Sequence, residues 1–181
     1  MFGSITAAIV SVLSYFTTSE ELQRYIYWSF GSLGDLSWSQ LSLLAGIILI
    51  GIVLSIASIK SLNALLLGEN YAQSLGVQLK KSRYIIIIAT ALLAGSVTAF
   101  AGPIAFVGLA VPHLTRQIFD TTDHRILVPA VLLYGAILML LCDVVAQLPN
   151  SANVLPINAI TSIIGAPVVI WLLTRKRRML F

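Results

Sequence analysis

Residues 83–116 read RYIIIIATALLAGSVTAFAGPIAFVGLAVPHLTR. No charged side chain lies between Arg83 and Arg116. A membrane-crossing helix needs only about 20 apolar residues, so this run is too long for one upright span and tight for two. Gly102-Pro103 stands near its middle. A proline following a glycine ends a helix readily, because proline has no N–H to donate and its ring clashes with the turn before it. The stretch therefore reads as two spans, 84–101 and 103–119. In lipid every backbone N–H and C=O must be paired within the protein, which makes such spans helical. No period-2 alternation supports a transmembrane barrel.

Working outward, four more apolar segments appear at about 1–16, 38–59, 126–147 and 155–174. Charge placement supports a total of six spans. The loop after the first carries Glu20, Glu21, Arg24 and Asp35, and the loop after the second carries Lys60, Glu69, Lys80, Lys81 and Arg83. Arg116 and Arg125 flank the next such connection, and Arg175, Lys176, Arg177 and Arg178 close the chain. With both ends inside, every Lys and Arg except Arg24 falls on the cytoplasmic side, the asymmetry expected of inner-membrane proteins. One long helix over 84–119 would put half of those charges outside. Composition agrees, with 58% hydrophobic and 10% charged residues against roughly 25% charged in soluble domains. The pI near 9.5 reflects these loop cations and not a nucleic-acid surface. The expected fold is an all-α polytopic transmembrane bundle, a single domain over 1–181.

The loop between the first two spans is framed by Tyr25, Tyr27, Trp28, Phe30 and Trp38, residues that favour the headgroup level. Ser19-Glu20-Glu21 has the form of a helix start, so a short helix at that interface is expected. Small residues recur every four positions at Ala91, Gly95 and Ala99, a face that permits close helix approach in lipid. Ser4, Ala7 or Ala8, Ser11 and Tyr15 in the first span form a mildly polar stripe, as do Asn158, Ser162 and Ala166 in the last. Each stripe fits either helix packing or the lining of a passage. Asp143 is the one ionisable group well inside a span, with Gln147 a turn further on; a hydrogen-bonded structural role and a transport role are both open.

No phosphate-binding loop, Cys-x-x-Cys or His-Glu-x-x-His occurs. His113 and His124 sit beside cytoplasmic boundaries, where interface hydrogen bonding is the simpler role. The lone Cys142 lies in an apolar run, so no disulfide framework exists. No catalytic residue, cofactor or metal site is expected, and the chain is not an enzyme by itself. The segment SLNALLLGENYAQSLGV (61–77) is too apolar for a solvated loop and too short to span. Glu69-Asn70 suits a helix start and Gly76 the left-handed position after a helix end. The apolar residues of this elbow need a partner, whether the chain's own helices or another protein.

LNALLLGENYAQSLGV, AGPIAFVGLAVPHLTRQIF, TDHRILVPAVLLYGA and IGAPVVIWLLTRKRR, in this order, resemble the FecCD-type permeases of iron-siderophore, haem and cobalamin ABC importers. Such permeases have ten helices and about twice this length, and the chain resembles their C-terminal six. The abrupt apolar start at Met1 fits a helix cut partway. The resemblance implies that 60–83 is a cytoplasmic coupling segment, with Leu67, Gly68, Glu69, Ala72, Leu75 and Gly76 resting on an ATPase subunit. Pro112, His113 and Arg116 would lie near the same face. Ser4, Ser11, Tyr15, Asn158, Ser162 and Ala166 would line the translocation path, and the short helix near Thr17–Tyr27 would form a periplasmic gate. Gln147 stands where many relatives carry an arginine for docking the binding protein, and Val154-Leu155-Pro156-Ile157-Asn158 replaces their Glu-Leu-Pro-x-Gly.

The function so implied is a homodimeric inner-membrane permease subunit, both termini of this chain cytoplasmic. Its partners would be an ATPase subunit, a periplasmic or lipid-anchored substrate-binding protein and membrane lipid, but no nucleic acid. A secondary-transporter fragment is the first alternative, short of ionisable groups on its path. A truncated remnant that transports nothing is the second.

Overall fold

The run from Arg83 to Arg116 is indeed broken in the middle. Helix α5 (Leu79–Ala101) ends at Gly102, whose φ of +79° no side-chain-bearing residue adopts without strain, and α6 (Val107–Phe119) starts only after an extended linker. The computed structural model describes residues 2–34, 36–147 and 155–177. Asp35, Val154 and Arg178, which entered the sequence argument, lie outside them. The remaining helices are α1 (Phe2–Phe16), α2 (Ser19–Phe30), α3 (Trp38–Leu65), α4 (Glu69–Ser74), α7 (His124–Ala146) and α8 (Ile157–Arg177), with no strand among the described residues.

α3, α5 and α7 are long and apolar enough to cross a membrane. At 1.5 Å per residue, α5 alone is roughly 34 Å long, which matches a hydrocarbon core of about 30 Å. α1 is shorter, and α6 has 13 residues, so segment 103–119 covers its length as an extended stretch plus a short helix. α3 does not stop at Ile59. Nothing in Lys60–Leu65 breaks a helix, and it runs on to Leu65 before Gly68 takes φ +97°.

α3 and α5 form the most extensive pairing. Apart from Ala101 at the end of α5, the buried positions are Leu44, Gly51 and Ser58 on α3 and Ser82, Ala89 and Ser96 on α5. Both sets repeat every seven residues, two helical turns, which gives a narrow seam between nearly aligned helices. At its centre Leu93 lies over Gly51, where an added Cβ would come within 2.7 Å of it. The stripe expected to mediate close approach, Ala91, Gly95 and Ala99, is exposed instead. Two small-residue periodicities coexist on α5, and the seven-residue one carries the contact.

α6, α7 and α8 pack on one another as a second group, joined to the first through α3 and α7. Its interior centres on Cys142, Ala146 and Ile160, with Leu138 against them. Outward-facing side chains remain apolar, Leu140 and Val144 being 66% and 69% exposed. Such a surface would aggregate in water and suits lipid.

Candidate functional site at the two ends of the bundle

The cross-links between helices gather at two ends. At the basic end, α3 finishes, α4 forms the elbow, α5 begins, and α6 hands over to α7. Ser82 Oγ meets Ser61 Oγ at 3.1 Å across the α3–α5 seam. The elbow is a well-terminated helical turn. Gly76 (φ +85°) donates its N–H to Gln73 O, and Val77 donates to Ala72 O, the paired bonds that close a helix through a left-handed residue. Gly76 thus occupies the position expected of it.

The six elbow residues named from sequence separate into two kinds. Ala72 is fully buried and seats α4 on the bundle, while Leu67, Gly68, Glu69, Leu75 and Gly76 are exposed. Tyr71 was missed. It is 54% exposed and one turn from the exposed Leu75, and Leu67, ahead of the Gly68 turn, is exposed as well. That spacing was available in the sequence. Glu69 and Arg83 form an exposed ion pair.

Beside the elbow lies a polar cluster that sequence reasoning did not assemble. Asn63 Nδ2 donates to Asp123 Oδ1, and Asn63 Oδ1 accepts the backbone N–H of His124 at 2.9 Å. The same oxygen lies 2.7 Å from His124 Nδ1. Asp123 caps α7 by accepting the N–H of Arg125 at 2.8 Å. That bond, then the Asn63 amide, hold the Asp123 carboxyl below its usual range. His124 is thus held by hydrogen bonds through both its backbone and its ring. His113 is exposed, Pro112 half-buried, and Pro112, Arg116 and His124 edge a cleft of about 280 Å³ between the two helix groups.

The opposite end is built from backbone. Gly31, after α2, packs on Gly102, so closely that a Cβ at Gly102 would lie 2.3 Å from Trp28 O and 2.9 Å from Gly31 Cα. Ser32 N–H donates to Ala101 O at 3.0 Å. In the linker, Phe106 adopts φ +65°, a sparsely populated backbone conformation that costs a residue with a Cβ roughly 1–3 kcal/mol. Its Cβ occupies the space a side chain at Gly165 of α8 would need, and Asn158 Oδ1 accepts the N–H of Ala105 at 3.1 Å. α2 starts from Thr18, not Ser19, as its cap residue. Its aromatic residues Tyr25, Tyr27, Trp28 and Phe30 are all exposed.

Of the residues expected to line a path, Ser4, Ser11 and Tyr15 are exposed on α1, which packs little on the other helices. Asn158 holds the linker, Ser162 returns its hydroxyl to Asn158 O at 2.6 Å, and Ala166 is half-buried. Gln147 Nε2 donates to Asp143 Oδ2 at 2.8 Å, which gives that carboxylate a structural partner. No group of three or more His, Cys, Asp or Glu side chains comes together among the described residues.

The sequence profile of the FecCD transport family matches residues 1–175. The chain belongs to that family. This FecCD-family chain is 42% identical over 176 residues to the vitamin B12 import system permease protein BtuC of Salmonella typhi, covering 97% of the chain and 53% of the relative. The corresponding protein of Salmonella schwarzengrund is 41% identical over the same length. A solved structure of an inward-facing, metal-chelate type ABC transporter superposes with a TM-score of 0.84 at 34% identity, over 95% of this chain and 56% of that one. The FecCD-family chain therefore spans about half the length of the relatives it matches.

Proposed function

We propose that the chain forms the membrane domain, or part of it, of an ABC importer permease for iron-siderophore, haem or cobalamin, driven by a separate ATPase subunit. The observation that carries this reading is the elbow. A membrane helix pair projects a short helix, closed at its C-terminal end through Gly76, on which Tyr71 and Leu75 are exposed, as is Leu67 just ahead of it. Apolar side chains held outward on a rigid turn lose free energy in water and regain it against a complementary groove. Segment 60–83 is then the coupling segment, seated through Ala72 and presented through the leucines.

The elbow lies on the cytoplasmic side in this reading, with both termini of the chain, because the Lys and Arg residues cluster there. α2 is the outer gate, and α1 and α8 border the path in a homodimer, where Ser4, Ser11, Tyr15, Ser162 and Ala166 offer a lining without charge. A neutral lining suits bulky chelates of differing charge. Gln147, already engaged by Asp143, leaves no cation there for a substrate-binding protein, so docking on the outer face uses other contacts. ATP-driven closure pushes α4, and rigid movement of the helices exchanges outer for inner access. The chain does no covalent chemistry, since ATP is hydrolysed on the partner.

The test is Leu75→Asp in the permease co-expressed with its ATPase. The variant should insert and fold normally but retain less than about a tenth of the bound ATPase, since a charge in an apolar contact costs well over 1.4 kcal/mol. Undiminished co-purification together with normal cyanocobalamin- or siderophore-driven ATP turnover would remove the elbow from the interface.

A further inference from the structure

The α3–α4–α5 group and the α6–α7–α8 group are not sealed against each other along their length. The cleft between them is lined by Ser58, Leu93, Pro112, Leu127 and Val131, among others. Movement of α4 is therefore delivered first to α3 and α5, with which it packs, and reaches α7 through whatever ties α3 to it. The exposed Glu69–Arg83 pair is no such tie, because it joins α4 to α5 within one group.

Asn63 is placed to be that tie. It lies on the last turn of α3, shortly before α4, and its one amide serves three groups at the start of α7: the Asp123 carboxylate, the His124 N–H and the His124 ring. All three contacts join residues sixty or more positions apart in the chain. An amide used from both ends fixes direction as well as distance, which a single apolar contact does not. Asp123 is also the cap of α7, so the helix start and the tie share one carboxylate.

We infer that Asn63 is a positioning residue that makes the elbow and the N-terminus of α7 move as one body. A push on α4 then rotates α7 directly, and the cleft is bypassed. This rests on the elbow being the ATPase contact.

The experiment places spin labels at Gln73→Cys on α4 and Ile126→Cys on α7 in a Cys142→Ser background. Distances are measured in the reconstituted importer complex, nucleotide-free and trapped with ATP and vanadate. With Asn63 intact, the distribution is narrow and keeps its mean in both states. With Asn63→Ala its width about doubles and the mean shifts by several ångströms on trapping. Asp123→Ala, which leaves Asn63 its two His124 contacts, broadens it less, and the double variant adds nothing to Asn63→Ala. Should Asn63→Ala fail to fold, Asn63→Asp sets two carboxylates against each other and broadens the distribution, while Asn63→Asp combined with Asp123→Asn restores the narrow one. An Asn63→Ala distribution equal to that of the parent, or a swap no narrower than Asn63→Asp, overturns the inference. Failure of the docking reading looks different: the ATPase binds regardless of Leu75→Asp, and the nucleotide-free widths still decide whether Asn63 locks the two segments.

Discussion

The two ends of this bundle are fastened by opposite means. At the basic end the fasteners are side chains: an amide shared by an aspartate and a histidine, a pair of serine hydroxyls, and a buried alanine under the elbow. At the other end they are backbone surfaces, where Gly31 meets Gly102 and Phe106 fills the space over Gly165. Side-chain fasteners can be let go by rotating a few bonds. Backbone contact can be lost only by separating whole segments. The basic end is thus held by contacts that single side chains make and break, and the opposite end holds α2, the linker and α8 as one block. The contrast predicts that the first end is broken by deleting atoms and the second by adding them.

Adding atoms at Gly102 should have the largest effect. In Gly102→Val the new Cβ meets the Trp28 carbonyl at 2.3 Å and the Gly31 Cα at 2.9 Å, both backbone atoms that cannot turn away. The positive φ adds its own strain. A loss of about 3 kcal/mol or more is expected, read as a collapse of the melting temperature in detergent. Gly46→Ala on α3, which has nothing within 4 Å of the added methyl, should stay within about 1 kcal/mol and on the favourable side. Equal melting of the two variants would dissolve the comparison.

A smaller effect belongs to the side-chain bond that ties the linker to α8. Asn158→Ala leaves the Ala105 N–H without its acceptor, at a cost of about 1–2 kcal/mol. The linker with its strained Phe106 should loosen before the helices do. Hydrogen exchange at 103–107 should rise well before that of α5 and α7. Uniform acceleration across the chain would mean that Asn158 supports the whole bundle and not this linker.

Much of this division could be read from the residues. The charge asymmetry and the Gly102-Pro103 break gave the number and order of the helices, because hydrophobic length and proline chemistry act locally. Gly76 was legible for the same reason, since a left-handed helix end leaves glycine as its mark. The α3–α5 seam was not, because Ala91, Gly95 and Ala99 offered an equally good small face and only the neighbouring helix decides between the two. Asn63, Asp123 and His124 are commonplace residues in their local contexts. Their partnership arises from two helix ends meeting in space, and no periodicity encodes it. Asn158 was legible as a polar residue on a small-residue face, but its bond to Ala105 depends on a linker whose shape the sequence leaves open.

The smallest effect sharpens the comparison at the basic end, where one fastener should prove to be none. Glu69 and Arg83 are each more than half exposed, so water competes for both, and salt screens their attraction over about 8–10 Å. Pairs of this kind contribute roughly 0–1 kcal/mol. Glu69→Gln should therefore melt within about 0.5 kcal/mol of the parent, since Ala72 and the Gly76 closure still seat the elbow. If Glu69 instead meets the ATPase, the same substitution will lower ATPase retention in a salt-dependent way while permease stability stays put. A large drop in stability alone would show that the elbow hangs on its ion pair, and that the division into locking and ornamental contacts at this end was drawn in the wrong place.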